Sequence, residues 1–165
     1  MAERVDLRVN GRAERLRVEG TESLAEALRR DHRLFSVREV CGIGVCGSCT
    51  VLVKGVAMSS CLMLAGLADG LDVTTVEGLG VDGALDPVQQ AFVDHSAFQC
   101  SFCTPGFLMA THALLAEEPH PTPERVREAL AGNLCRCGSY QNILAAVLDA
   151  AERLDPAPTP YVQPQ

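Results

Sequence analysis

Cys41-Gly42-Ile43-Gly44-Val45-Cys46-Gly47-Ser48-Cys49 reads C-x4-C-x2-C, and a fourth cysteine follows at Cys61. This is the spacing by which four thiolates hold a plant-type [2Fe-2S] cluster. Four thiolates must converge on two irons, and the bridging sulfides need backbone N–H donors, so the chain between ligands has to be small and permissive. Gly42, Gly44 and Gly47 supply that freedom. Structural zinc is the competing reading, but zinc is held by cysteine pairs of C-x2-4-C spacing and has no use for three glycines among three ligands.

Cys100-Ser101-Phe102-Cys103 and Cys135-Arg136-Cys137 account for the rest of the 8 cysteines. Their spacing alone leaves zinc and iron-sulfur open. The flanking residues are more specific. Gln99-Cys-Ser-Phe-Cys-Thr-Pro-Gly106 and Gly132-Asn-Leu-Cys-Arg-Cys-Gly-Ser-Tyr140 resemble the second cluster signature of the iron-sulfur subunits of xanthine oxidase-family molybdenum hydroxylases, and the resemblance runs over about residues 3 to 153.

Lys+Arg 14 against Asp+Glu 21 gives a net charge of −7, which argues against nucleic acid or an anionic membrane surface as a partner. Met1-Ala2-Glu3-Arg4-Val5-Asp6 carries acids where an export signal would carry a basic region and then an apolar run. The longest apolar stretch, Cys61 to Ala68, is too short for a membrane span and is interrupted by Gly66. A cytoplasmic protein is expected, and there eight cysteines point to metal ligation rather than disulfides. A Rieske-type centre would need histidine ligands, whereas His32, His95, His112 and His120 lie outside the cysteine motifs and are expected to be solvated or satisfied in the core. At 165 residues the chain has room for one domain or two small ones, and a small half buries a limited core unless bound metal adds stability.

Val5, Leu7 and Val9 alternate with polar residues, and Asn10-Gly11 signals a type I′ hairpin before Leu16 and Val18. Ser23 and Glu26 make a capping box for a helix with Leu24, Ala27 and Leu28 on one face, ending near His32. Strands are expected over 50–53 and 56–58 around Lys54-Gly55, and again over 71–76. Gly78, Gly80 and Gly83 mark residues 77–85 as a linker. Beyond it, Asp86-Pro87, Thr104-Pro105 and Thr122-Pro123 read as N-cap and N1 pairs, and Ser139 as the cap of a fourth helix carrying Ile143, Ala146, Val147 and Ala150. Two of these starts adjoin Cys103 and Cys137, where free N–H groups and the positive end of the helix dipole suit an anionic tetrathiolate centre. Pro156, Pro158, Pro160 and Pro164 prevent a helix in the tail, which reads as extended.

Residues 42–47 and 78–83 both match G-x-G-x-x-G, but the first lies inside the ligand loop and the second stops before a helix start, so neither makes a dinucleotide site. Met58, Met63 and Met109 sit among apolar neighbours as core filler. No motif in the chain is suited to activating a substrate.

The resemblance implies an α+β protein: a plant-type ferredoxin-like β-grasp [2Fe-2S] domain over 1–76, a linker over 77–85, a four-helix-bundle [2Fe-2S] domain over 86–154, and an extended proline-rich tail over 155–165. The first cluster would be held by Cys41, Cys46, Cys49 and Cys61, the second by Cys100, Cys103, Cys135 and Cys137. Electrons released by substrate hydroxylation at a molybdopterin site would pass through the second cluster to the first, and then to FAD or another acceptor. The implied partners are a large molybdopterin-binding subunit and a medium FAD-binding subunit, in a dimer of heterotrimers. Gln99, whose amide both donates and accepts, and Cys137 would meet the pterin. Tyr140-Gln-Asn-Ile143 looks most like the three-subunit carbon monoxide dehydrogenase-like branch, while Val40, Ser101 and Gly138-Ser139 depart from the family's usual residues without removing a ligand. Two other readings remain: a free-standing two-cluster ferredoxin carrier, and a zinc-stabilised interaction module.

Overall fold

Two tight hairpins frame the first half of the chain. In the computed structural model, which describes residues 2–154, β1 (Ala2–Val9) pairs antiparallel with β2 (Arg12–Glu19), placing Val9 opposite Arg12. Asn10 and Gly11, at φ 50° and 79°, form the left-handed two-residue turn that matches strand twist. Lys54 and Gly55, at φ 50° and 82°, do the same between β3 (Thr50–Val53) and β4 (Val56–Ser59). β5 (Asp72–Thr74) enters between β1 and β3, parallel to the first and antiparallel to the second, so the sheet order is β2-β1-β5-β3-β4.

Helix α1 (Leu24–His32) starts at the expected capping box: the Glu26 N–H donates to Ser23 Oγ at 3.2 Å, and the Ser23 N–H donates to the Glu26 carboxylate at 2.8 Å. Its apolar face of Leu24, Ala27 and Leu28 closes over Val5, Leu7, Val9, Leu16, Val18, Val51, Val53 and Val73, which together form the core of this half. Alternation in β1 therefore does what period-2 patterning predicts, one face buried and one wet.

β5 is shorter than the 71–76 pattern suggests. The Thr75 N–H donates to the side-chain carbonyl of Asn10 at 2.8 Å, and Asn10 Nδ2 donates to Thr75 Oγ1 at 3.0 Å. The β1–β2 turn thus takes the bond a longer ladder would have used, and Val76–Gly78 winds into a 3-10 turn. The glycine-rich stretch beyond is tied down at both ends, since Glu77 accepts from the Ser36 N–H at 2.9 Å and Gln89 Nε2 donates to the Val76 carbonyl at 3.3 Å.

Four helices follow: α2 (Pro87–Asp94), α3 (Thr104–Glu117), α4 (Pro123–Ala129) and α5 (Tyr140–Arg153). Asp86 and Thr122 cap as expected, accepting from the N–H groups of Gln89 at 2.7 Å and Arg125 at 3.2 Å. The other two starts differ. The N-cap of α3 is Cys103, so Thr104 already lies in the first turn and caps nothing. Ser139 stands at the N-cap of α5, but its hydroxyl makes no capping bond and donates to the Cys135 sulfur.

Helix α3 is buried around most of its circumference. On one side Phe107, Leu114 and Leu115 pack with Phe92, Val126, Ile143 and Val147 in the core of the second half. On the other side it covers β3, whose Thr50 and Leu52 are buried although they alternate with the residues of the first core. An all-round apolar helix is the expected product of two buried faces. No helix among the described residues is long and apolar enough to cross a membrane. The tail over 155–165 lies outside the described residues.

Candidate metal centres

The loop from Cys41 to Cys49 is held in a curled path by Gly42, Gly44 and Gly47 at φ 63°, 75° and 68°. Residues with a Cβ adopt this left-handed region at a cost, which is why the loop is written in glycine. The curl turns the N–H groups of Ile43, Val45 and Cys46 toward the Cys41 sulfur. The Ile43 N–H, then the neighbouring Cys46 thiol, bring the Cys41 thiol down to about 6. Across the loop, burial and then the facing Cys49 thiol push Cys61 up to about 11, while the Gly44 N–H points at its sulfur. The sulfurs of this set therefore come two by two, Cys41 with Cys46 and Cys49 with Cys61.

The second set repeats the pairing on a different frame. Cys100 and Cys137 bring their sulfurs to 3.5 Å, and the Phe102 N–H, followed by the Cys137 thiol, holds Cys100 below the ordinary thiol range. Burial, with the Cys135 thiol opposite, pushes Cys103 up to about 12. At Cys135 burial works upward but is outweighed by the Ser139 N–H, which reaches its sulfur at 3.4 Å, and by Cys103, so this thiol lies below its usual range. The starts of α3 and α5 both stand at this set, as the helix-start signals beside Cys103 and Cys137 predict.

Pairing distinguishes one metal chemistry from another. A single zinc ion draws four sulfurs into one tetrahedron. Two pairs per set, each surrounded by backbone N–H donors, fit a binuclear iron-sulfur centre, in which each iron takes two thiolates and the N–H groups meet the negative charge. All eight cysteines are free of disulfides.

The two sets are joined directly. The Leu134 N–H donates to the Cys46 carbonyl at 3.0 Å. Next to it, the Gly47 carbonyl accepts from buried Asn133 Nδ2 at 3.0 Å and from Thr50 Oγ1 at 2.7 Å. Gly106 in α3 sits on the same carbonyl so closely that a Cβ there would stand 2.0 Å from its oxygen.

Comparison with known proteins agrees with this geometry. The 2Fe-2S iron-sulfur cluster binding domain family matches residues 7–71, and the [2Fe-2S] binding domain family matches residues 75–148. The nicotine 6-hydroxylase small subunit of Paenarthrobacter nicotinovorans is 53% identical over 146 residues, covering 88% of this chain and 88% of its own length. The nicotinate dehydrogenase small FeS subunit of Eubacterium barkeri is 44% identical over 149 residues, covering 90% of this chain and 95% of its own. The chain belongs to the small [2Fe-2S] subunits of xanthine oxidase-family molybdenum hydroxylases. The crystal structure of quinoline 2-oxidoreductase from Pseudomonas putida 86 superposes with a TM-score of 0.89 at 42% identity, covering 92% of this chain and 94% of the matched one. As an iron-sulfur subunit of an oxidoreductase, the chain has an electron-transfer role.

Gln99 and Cys137, both expected at the pterin, do come together: Gln99 Nε2 donates to the Cys137 carbonyl at 3.2 Å, at an exposed position. The histidines stay apart from the cysteines. His95 Nε2 meets Asp149 at 2.9 Å, His112 Nε2 meets Asp86 at 2.6 Å, and His32 lies 3.9 Å from Glu14. Sequence reasoning missed Arg38, Asn133 and Tyr140, whose hydroxyl accepts from the Cys135 N–H at 2.8 Å. Asn133 and Tyr140 stand inside the quoted second signature, where a buried amide and a phenol close to a ligand were the available signal.

Proposed function

We propose that Cys41 with Cys46 and Cys49 with Cys61 hold the two irons of one [2Fe-2S] cluster, and that Cys100 with Cys137 and Cys103 with Cys135 hold those of the other. The two-by-two arrangement of thiols is the observation that carries this reading. When bound, such a cluster takes up and returns one electron without a proton. The N–H groups of Ile43, Val45, Phe102 and Ser139 do the rest of the work, stabilising negative charge on sulfur and so favouring the reduced state.

In this reading residues 1–76 are the ferredoxin-like domain, 77–85 the linker and 86–154 a four-helix bundle. The chain passes electrons from a molybdopterin site in a large subunit to the second cluster, on to the first, and out to FAD in a medium subunit or another acceptor. Gln99 and Cys137 are the residues that meet the pterin, Cys137 doing so while also a ligand. Phe102, Leu134 and Tyr140 expose apolar surface around the second set, and Val40, Ile43, Val45 and Leu62 do so around the first, which suits surfaces covered by partners in a dimer of heterotrimers. A cytoplasmic location accords with cysteines kept as thiols for ligation.

Iron and sulfide analysis with electron paramagnetic resonance tests the assignment. About four irons and about four labile sulfides per chain are expected, in two spectroscopically distinct centres. Cys49→Ser should remove one signal and spare the other, and Cys103→Ser should do the reverse. Stoichiometric zinc would overturn the reading.

A further inference from the structure

Arg38 lies three positions before the first ligand loop and reaches the second. Its backbone N–H donates to the Ser48 carbonyl at 3.3 Å, inside the first loop. Its guanidinium donates to the carbonyl of Ser101, which stands between Cys100 and Cys103, and lies over the Phe102 ring at 4.8 Å from the centroid. Among the described residues no carboxylate pairs with it. Ser101 has φ 62°, a left-handed conformation that an L-residue adopts only under constraint. The conformation matters because the next residue, Phe102, supplies the N–H that faces the Cys100 sulfur.

We infer that Arg38 is a positioning residue and a fixed positive charge for the second centre: it clamps the Ser101 turn and favours the reduced state of the cluster held there more than that of the first. The inference rests on the ligand assignment proposed above. A charge without a counter-ion, half withdrawn from water in the contact between two loops, acts more strongly than one in bulk solvent. A planar guanidinium stacked on a ring and bonded to a carbonyl is also held in one place, which a flexible ammonium is not. Extra electron density on a cluster is stabilised by the nearby cation, so removing the charge must lower that cluster's potential.

The test is a redox titration of both centres by electron paramagnetic resonance, in the full-length chain within its assembled complex, for wild type, R38Q and R38K. Wild type must first show two distinct signals; their absence would sink the ligand assignment and not the role of Arg38. For R38Q, the ratio of reduced to oxidised second centre at a fixed solution potential is expected to fall about threefold to tenfold, about 30 to 60 mV for one electron. The first centre is expected to move by less than half as many millivolts. R38K keeps the charge while losing the stacked fork, and is expected to stay within about twofold of wild type in the same ratio. An unchanged second centre in R38Q overturns the inference, and so does an equal shift in R38K and R38Q, which would mark a clamp without an electrostatic role.

Discussion

The backbone N–H of Leu134 donates to the carbonyl of Cys46 at 3.0 Å, and Cys135 is the next residue in the chain. One hydrogen bond and one peptide therefore separate the main chain of a first-set cysteine from that of a second-set cysteine. In an electron-transfer subunit such a bonded route is a better coupling than a gap filled by solvent.

Gly106 keeps that route short. Its missing side chain lets α3 rest on the Gly47 carbonyl, and that carbonyl cannot retreat because Asn133 and Thr50 both hold it. Gly106→Ala is expected to destabilise the protein by about 1–3 kcal/mol through overpacking, and to slow electron passage between the centres while leaving both assembled. Thermal unfolding and rapid-freeze spectroscopy read the two effects, and no change in either would contradict the close-contact argument.

Gln99→Ala removes an exposed amide that donates to the Cys137 carbonyl. Both cluster signals should survive. Reduction of the clusters by substrate in the assembled complex should slow, or molybdenum content should fall. Unchanged reduction and unchanged molybdenum would place the pterin against other residues.

The cluster-free chain should show graded thiol reactivity. Cys41, with its pKa near 6, is mostly thiolate at neutral pH, whereas Cys61 near 11 and Cys103 near 12 stay protonated. Alkylation at pH 7 is expected to mark Cys41 well before Cys61 and Cys103, with its rate climbing as pH rises through about 6 and levelling above. Peptide mapping by mass spectrometry checks the order. Loading with iron and sulfide should protect all of them.

Glu77 bolts the turn after β5 to the segment before the first ligand loop. Burial opposes its charge, but the Ser36 hydroxyl and N–H and the Thr75 hydroxyl outweigh it and hold the carboxyl below its usual 4.5. A depressed carboxyl contributes stability that is present above the unfolded value and lost as pH falls through the folded one. Glu77→Gln should therefore cost about 1–3 kcal/mol at pH 7, with the gap to wild type narrowing only as pH falls below 4.5. Denaturant titrations at pH 7 and at a pH below 4.5 make the comparison, and a gap that is unchanged or wider at the lower pH would reverse the assignment.

Local chemistry was legible in the sequence: the glycines of the ligand loop, the Asn10-Gly11 turn and the Ser23/Glu26 capping box each act within a few residues, and each took its expected form. What was not legible depends on segments far apart in the chain. The strand after Leu71 stops early because Asn10 intercepts Thr75, and the Ser139 hydroxyl leaves its helix because Cys135 is folded against it. Arg38 looks like any surface base until Ser101 and Phe102 are brought to it. One signal was available and unread: thirteen residues from Thr104 to Ala116 hold little besides apolar and small side chains, which is too much for a helix with one wet face.

That helix makes the two clusters inseparable as parts. Cutting the chain in the glycine-rich stretch would strip β3 of its cover and bare Thr50 and Leu52, while leaving α3 with an open flank. Neither fragment would be a smaller ferredoxin. Further modules can be joined to such a protein at its ends, but the unit that is inherited, transplanted or redesigned is the pair of centres together.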